Sequence, residues 1–365
     1  MHARSFFSQT YAEARAKFIV GAEAHHLHVE THSHPMLGRD GEALAMDVVR
    51  EGPRDAAAVL IVSGGCHGVE GFCGSGVQSA LLADAAWHEQ VAKSGVAVLY
   101  IHALNPYGFS WWRRTTHENV DLNRNFQDFS RPLPANPDYD QLAALLVPPT
   151  WPPSAKVEAG IQRFIAEHGQ RAFQQAVSGG QHDHPEGLFY GGRNPTWSQV
   201  TLRHVLQDHG RRCRRLGWID LHTGLGPSGV GERIFACADD PAALARSRAW
   251  WGDGRGGGVT STYDGSSSSA PLTGVMWLAA DQECPQAEYT GIALEYGTVP
   301  IMEALDALRA DQWLENHPEA PPAQRSAIKR QVRDAFYTDT DEWKVRVVEQ
   351  ALDAARRGVA GLAVR

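Results

Sequence analysis

The stretch AVLIVSGGCHGVEG, residues 58–71, decides the reading of this chain. Its first half, residues 58–63, is a continuous apolar run of the length and β-branched content of a strand buried on both faces. It stops abruptly at Gly64-Gly65, and a histidine and a glutamate three residues apart, His67 and Glu70, follow in a turn carrying two further glycines, Gly68 and Gly71. Glycine tolerates the sharp backbone such a turn needs. In open α/β sheets ligands bind beyond the carboxyl ends of strands, which is where this turn falls. An imidazole and a carboxylate there suit a borderline divalent cation such as zinc. Alone, His-x-x-Glu is a weak signal in a chain with 17 histidines, and a capping histidine beside a solvated glutamate would read identically.

Working outward, further buried-strand candidates lie at 96–101, 216–221, 234–238 and 292–296. Helical periodicity marks 9–24, 72–86, 155–177, 197–209, 239–251, 300–315 and 324–357, the last broken near Thr338. Strands alternating with helices predict an α/β fold: one domain over 1–365, a mostly parallel mixed sheet flanked by helices. Seven prolines between Pro132 and Pro153 predict an irregular surface insertion, since proline is excluded from helix interiors and central strands. The Gly- and Ser-rich segment Gly252 to Gly274 reads as a loop, either a surface excursion or a lid.

The 365 residues carry 34 Lys and Arg against 42 Asp and Glu, a net charge of −8. That argues against a nucleic-acid partner. No apolar run approaches the ~20 residues of a membrane span, so no membrane partner is expected. Five cysteines, an odd number without a CxxC pair, make a disulfide framework unlikely and fit a reduced, cytoplasmic protein.

Three more segments carry chemistry. In WIDLHTG, 218–224, a second predicted strand ends in a histidine, His222, before a glycine turn. With His67 and Glu70 it makes a two-histidine, one-carboxylate set that leaves a zinc position open for water. In WWRRTT, 111–116, and NVDLNRNF, 119–126, Arg113, Arg114 and Arg124 form a cationic cluster, and Asn123 beside Arg124 could grip a planar carboxylate. In IALEYGT, 292–298, Glu295 interrupts an apolar strand; a buried carboxylate there needs a partner or a shifted pKa, and near a metal it suits a general base. Cys66, next to His67, points away from an ion held by its neighbour. The crowded histidines His25 to His34 fit a half-exposed strand or loop.

Taken in order, HGVEG, WRRT, NVDLNRNF, DLHTG and LEYGT resemble the zinc carboxypeptidase superfamily over residues 58–300, and DLNRNF and DLHTG also its aspartoacylase and succinylglutamate desuccinylase branch; the nearest likeness is to an uncharacterised bacterial branch. The resemblance implies Zn²⁺ held by His67, Glu70 and His222, with Glu295 activating water and shuttling its proton. Arg113 polarises the scissile carbonyl, with Arg114 as the alternative. Asn123 and Arg124 hold the substrate carboxylate, and Asp121 orients a zinc-binding histidine. Tyr263 and Tyr289 are the candidates for a loop tyrosine that the family often carries. The expected activity is hydrolysis of an amide beside a free carboxylate, in a small peptide (carboxypeptidase) or an N-acyl amino acid (deacylase). The rivals are a non-catalytic zinc protein and a serine hydrolase, whose G-x-S-x-G is not met by Gly74-Ser75-Gly76.

Overall fold

In the computed structural model, which describes residues 3–253 and 257–363, the apolar run becomes strand β3, Ala58–Gly64, buried at every position. Around it lie β1 (Val29–Leu37), β2 (Ala43–Glu51), β4 (Ala97–His102), β5 (Arg215–Ser228), β6 (Gly231–Phe235), β7 (Val259–Thr260) and β8 (Glu288–Gly297). They form one sheet in the order β1-β2-β4-β3-β5-β8-β6-β7. The four central strands β4, β3, β5 and β8 run parallel, whereas β1 with β2, β2 with β4 and β6 with β8 pair antiparallel. The fully buried interior strands and polar, half-exposed β1 (VETHSHPML) show why the sequence announced the centre and not the edge. β1 and β2 were not anticipated, although β1 does hold His32 and His34 on a half-exposed strand.

Register sets the site. Strand β5 lies between β3 and β8, pairing Ile219 with Val62 and with Ile292, and His222 with Glu295. Side chains alternate between the faces of a strand, so Asp220, His222, Ala293 and Glu295 share one face. β6 adds Glu232 and Ile234 opposite Glu295 and Ala293.

The helix after the first turn, Gly71–Leu82, is buried at all twelve positions. An all-round buried helix must be covered on both sides; Tyr11–Ala24 and Asp341–Ala363 pack against it. Thr10 caps the former, its hydroxyl accepting from the Glu13 amide at 3.1 Å. The main apolar cluster draws on residues from Ala3 to Leu362, with smaller ones around Trp313 and Ile234. The predicted helix 155–177 is two, Ala155–His168 and Gln170–Ser178, divided at Gly169, which adopts φ +90°. The break near Thr338 is present, between Pro322–Phe336 and Asp341–Ala363.

The segment 132–153 is not wholly irregular. Pro137–Leu146 is a helix with Pro137 in its first turn, where the missing amide costs nothing, and Tyr139, Leu142 and Leu146 are buried. The prolines bracket a helix instead of forbidding one. Of the Gly/Ser-rich segment 252–274, residues 254–256 lie outside the described residues; the remainder includes β7. Among the described residues no helix is long and apolar enough to cross a membrane, and all five cysteines are free thiols in buried positions.

Candidate metal centre and its cavity

β3 ends at Gly64 and the chain turns through Gly65, at φ +71°, into the His67–Glu70 turn. Gly68 is required for a different reason from the one its sequence suggests. Its φ is ordinary, but a Cβ there would sit 2.1 Å from the Gly108 carbonyl carbon. The turn is held by amides of its own: Gly68 N donates to Arg114 O at 3.0 Å and Val69 N to Arg113 O at 2.8 Å.

His67 and Glu70 thereby meet His222, which lies within β5 and not at its end, the strand continuing to Ser228. The three ligand atoms lie within 4.8 Å of one another, and all three residues are buried. His67 Nδ1 is 2.8 Å from Glu70 Oε1; His222 Nδ1 is 3.0 Å from Glu70 Oε2 and 3.3 Å from His67 Nδ1. A carboxylate stands beside the other nitrogen of each ring: His67 Nε2 is 3.3 Å from Asp121 Oδ1, with Arg114 Nη2 closer at 2.7 Å, and His222 Nε2 is 2.5 Å from Asp220 Oδ2. That is how metal-binding imidazoles are oriented. Two Nδ1 atoms and a carboxylate converging in a buried place fit a divalent ion of zinc's kind. Burial raises the Glu70 carboxyl, but His67 and His222 outweigh it and hold it far below its usual range.

Asp220 is the residue sequence reasoning missed. It precedes His222 by two, so strand alternation puts both on one face, and that was the available signal. Its second oxygen accepts from Ser63 Oγ at 2.6 Å, and Trp218 Nε1 donates to that hydroxyl at 2.7 Å.

The centre forms one wall of a cavity of about 190 Å³ lined by His67, Glu70, His222, Arg114, Asn123, Arg124 and Glu295. Glu295 Oε1 accepts from the Leu225 amide at 2.9 Å. Burial, reinforced by the Glu70 charge, pushes its carboxyl up to about 7 against the pull of His222, that amide and His67.

The two adjacent arginines part company. Arg114 Nη2 lies 2.7 Å from His67 Nε2, and its Nε donates to Asp121 Oδ2 at 2.9 Å. Arg113, expected to polarise a carbonyl, does not line the cavity. Its Nε donates to Asp311 at 3.1 Å, Nη2 donates to Asn119 at 3.0 Å and Nη1 is 3.5 Å from Glu315. Neighbouring side chains project in opposite directions, and buried Asp311 with part-exposed Glu315 claims Arg113. The alternative, Arg114, is the one beside the centre.

Asn123 and Arg124 both line the cavity, though each has internal work. Asn123 Oδ1 accepts from Met276 N at 2.8 Å. Arg124 donates through Nε and Nη2 to Ser178 O at 3.1 and 2.6 Å, and through Nη1 to Asn123 O at 2.9 Å. Its nearest carboxylate, Asp121, is 3.9 Å away and is also engaged by Arg114. Burial is the main reason its guanidinium is pushed down to about 10, Asp121 opposing and Arg114 assisting. Tyr263 lines the cavity, half exposed, its hydroxyl donating to Cys237 O at 3.1 Å. Tyr289 is buried elsewhere and donates to Ala236 O.

Solved structures of similar fold include thrombin activatable fibrinolysis inhibitor, at 11% identity and a TM-score of 0.50 over 97% of this chain and 74% of that one. A metallo-carboxypeptidase from Burkholderia cenocepacia gives 11% and 0.46 over 96% and 68%, and a succinylglutamate desuccinylase from a Silicibacter species 13% and 0.36 over 85% and 65%. At such identities the likeness is one of fold: a single α/β sheet of mostly parallel strands flanked by helices, as in carboxypeptidases. The chain belongs to the family described as Protein of unknown function (DUF2817), which matches residues 7–350. No curated protein matches the sequence.

Proposed function

We propose that this protein is a zinc-dependent hydrolase that cleaves an amide beside a free carboxylate. The observation that carries the reading is the juxtaposition, in one cavity, of the buried His67–Glu70–His222 donor set with Glu295, a carboxyl poised at about 7.

His67, Glu70 and His222 would hold the ion. Bound there, zinc supplies Lewis acidity, polarising a carbonyl and acidifying a water. The remaining work belongs to the chain. Glu295, with a proton affinity near neutrality, takes a proton from the attacking water and returns it to the leaving amine, the match of pKa to task that general acid–base catalysis requires. Arg114 presents a guanidinium to the oxygen on which charge develops. Arg124 and Asn123 anchor the substrate carboxylate. Asp121 and Asp220 fix the ring orientations of the two histidines. The free cysteines fit a reducing, cytoplasmic setting.

The test is release of free amine by the zinc-loaded protein from matched N-acyl amino acids and dipeptides, each also presented with its carboxylate amidated. The acids are cleaved and the amidated forms are not; Arg124→Lys does not restore the preference, because an ammonium lacks the fork. Absence of turnover on every amide would end the hydrolase reading, and equal rates on acid and amide would end the anchor.

A further inference from the structure

The cavity does not stop at the catalytic groups. Above them its walls come from two helices, Gln170–Ser178 and Ile301–Asn316, and from the segment 269–275. The helices contribute Phe173, Val177, Ile301, Met302, Leu305 and Leu308. Every charged side chain lining the cavity, Glu70, Arg114, Arg124 and Glu295 with the two histidines, belongs to the catalytic end; the upper walls carry none.

The side-chain amide nitrogens on the first helix already have partners, while Trp277 Nε1, which also lines the cavity, is buried without one among the described residues. Gln174 Nε2 donates to Ser268 O at 2.9 Å, and Gln170 Nε2 faces Met302 Sδ at 4.0 Å. Beside them Gln175 Nε2, just outside the lining, donates to Pro271 O at 3.0 Å. These contacts tie the first helix to the 268–271 segment and to the second helix, so the walls are braced across the opening. At the rim two large side chains with apolar surface are exposed, Ile301 at 41% and Tyr263 at 50%.

A peptide running up such a channel brings amide and carbonyl groups that need partners, and leaving them unmet is costly. An acyl chain brings no such demand and gains from every methylene it buries. We infer that, of the two substrate types the hydrolase reading admits, this site takes an N-acyl amino acid whose acyl group is an extended apolar chain. The chain lies between the two helices, the carbonyl sits beside Arg114, and the carboxylate meets Arg124. Water adds to the acyl carbonyl carbon as its C–N bond breaks, giving a free fatty acid and an amino acid, with one proton passing through Glu295 to the amine. This inference rests on the hydrolase reading and fixes its substrate class.

The experiment measures kcat/KM on a single amino acid carrying acetyl, butyryl, hexanoyl and decanoyl groups, with a dipeptide of the same C-terminal residue beside them. Alongside, binding of free acetate, hexanoate and decanoate to the Glu295→Gln protein is followed by calorimetry. The expected result is a rise of about fourfold per methylene until the channel is filled, with decanoate bound and acetate not. Ile301→Asp, at the exposed rim, and Leu305→Asn, deeper in, should each flatten the chain-length dependence, with circular dichroism confirming that each variant is folded. A flat dependence, or a dipeptide preferred to the decanoyl substrate, overturns the acyl-chain assignment and leaves the hydrolase intact. Chain-length-dependent binding without turnover of any amide upholds the channel and removes the hydrolase.

Discussion

Two buried charge clusters flank the dipeptide Arg113-Arg114, and they are built to opposite ends. In the outer one, Arg113 and Lys329 face Asp311 and Glu315, with Lys329 Nζ donating to Asp311 at 2.6 Å and to Glu315 at 2.8 Å. Two cations answer two anions, and nothing is left over. In the inner one, His67, Glu70 and His222 point their ligand atoms at a common centre, while Asp121, Asp220 and Arg114 secure the far sides. A cluster that closes on itself holds helices together; one whose members all face inward, with their backs occupied, is prepared for something else. Residue type alone does not separate them, since both contain a buried arginine paired with aspartate.

The sharpest break in this comparison is loss of the centre. His67→Ala and His222→Ala should each lower zinc affinity by orders of magnitude, measured by chelator competition, because a three-ligand site rarely survives on two. Full occupancy in both variants would dissolve the distinction between the clusters. Next, Glu295→Gln should keep zinc and lose roughly 10²- to 10⁴-fold in turnover; a near-native rate would take Glu295 out of the chemistry. The crossed pair comes third. Arg113→Met leaves its two carboxylates to Lys329 alone and should cost about 3–5 kcal/mol in denaturant unfolding, with turnover per folded molecule preserved. Arg114→Met should instead cost turnover about 10²- to 10³-fold. The reverse pattern would exchange the roles of the two arginines.

The smallest effect lies outside both clusters. Burial pushes the imidazole of His102 down to about 4, Asp47 opposing. The ring packs on Phe18 with centroids 4.8 Å apart, and Nε2 lies 2.9 Å from Ser75 Oγ. A histidine that is harder to protonate folded than unfolded stabilises the fold fully above its unfolded pKa of about 6.5. That contribution drains away as the pH falls from about 6.5 toward 4, because the unfolded chain binds the proton first. His34, also lowered to about 4 chiefly by burial, acts in the same window. The His102 share amounts to about 3 kcal/mol, and His102→Gln should remove it from the slope of unfolding free energy against pH. An unchanged slope would show that the ring titrates freely.

How far the sequence carried follows from what each segment must bury. β3, β5 and β8 are enclosed on both faces, so their apolar runs and terminal glycines mark them and the residues at their ends. β1 sits at the edge with Glu30 and His32 half exposed and Thr31 exposed, and its pattern has no such signature. Residues 67, 70, 222 and 295 could be placed together because each ends or interrupts an apolar strand. Arg113 and Arg114 could not be told apart, since which of the two meets the centre depends on Asp311, nearly two hundred residues away. Asp220 was within reach by strand alternation alone.

The donors of the centre are separated along the chain by 155 residues, from His67 to His222. They become neighbours only when β3 and β5 pair in register, and that pairing is bought with a large loss of chain freedom before any contact rewards it. No partly folded chain therefore offers the complete set, and an ion that prefers all three ligands acts as a sensor of completed topology. Zinc should slow unfolding and raise the midpoint of thermal denaturation in proportion to the logarithm of its free concentration. It should do little to the rate of the first collapse, which precedes the strand pairing.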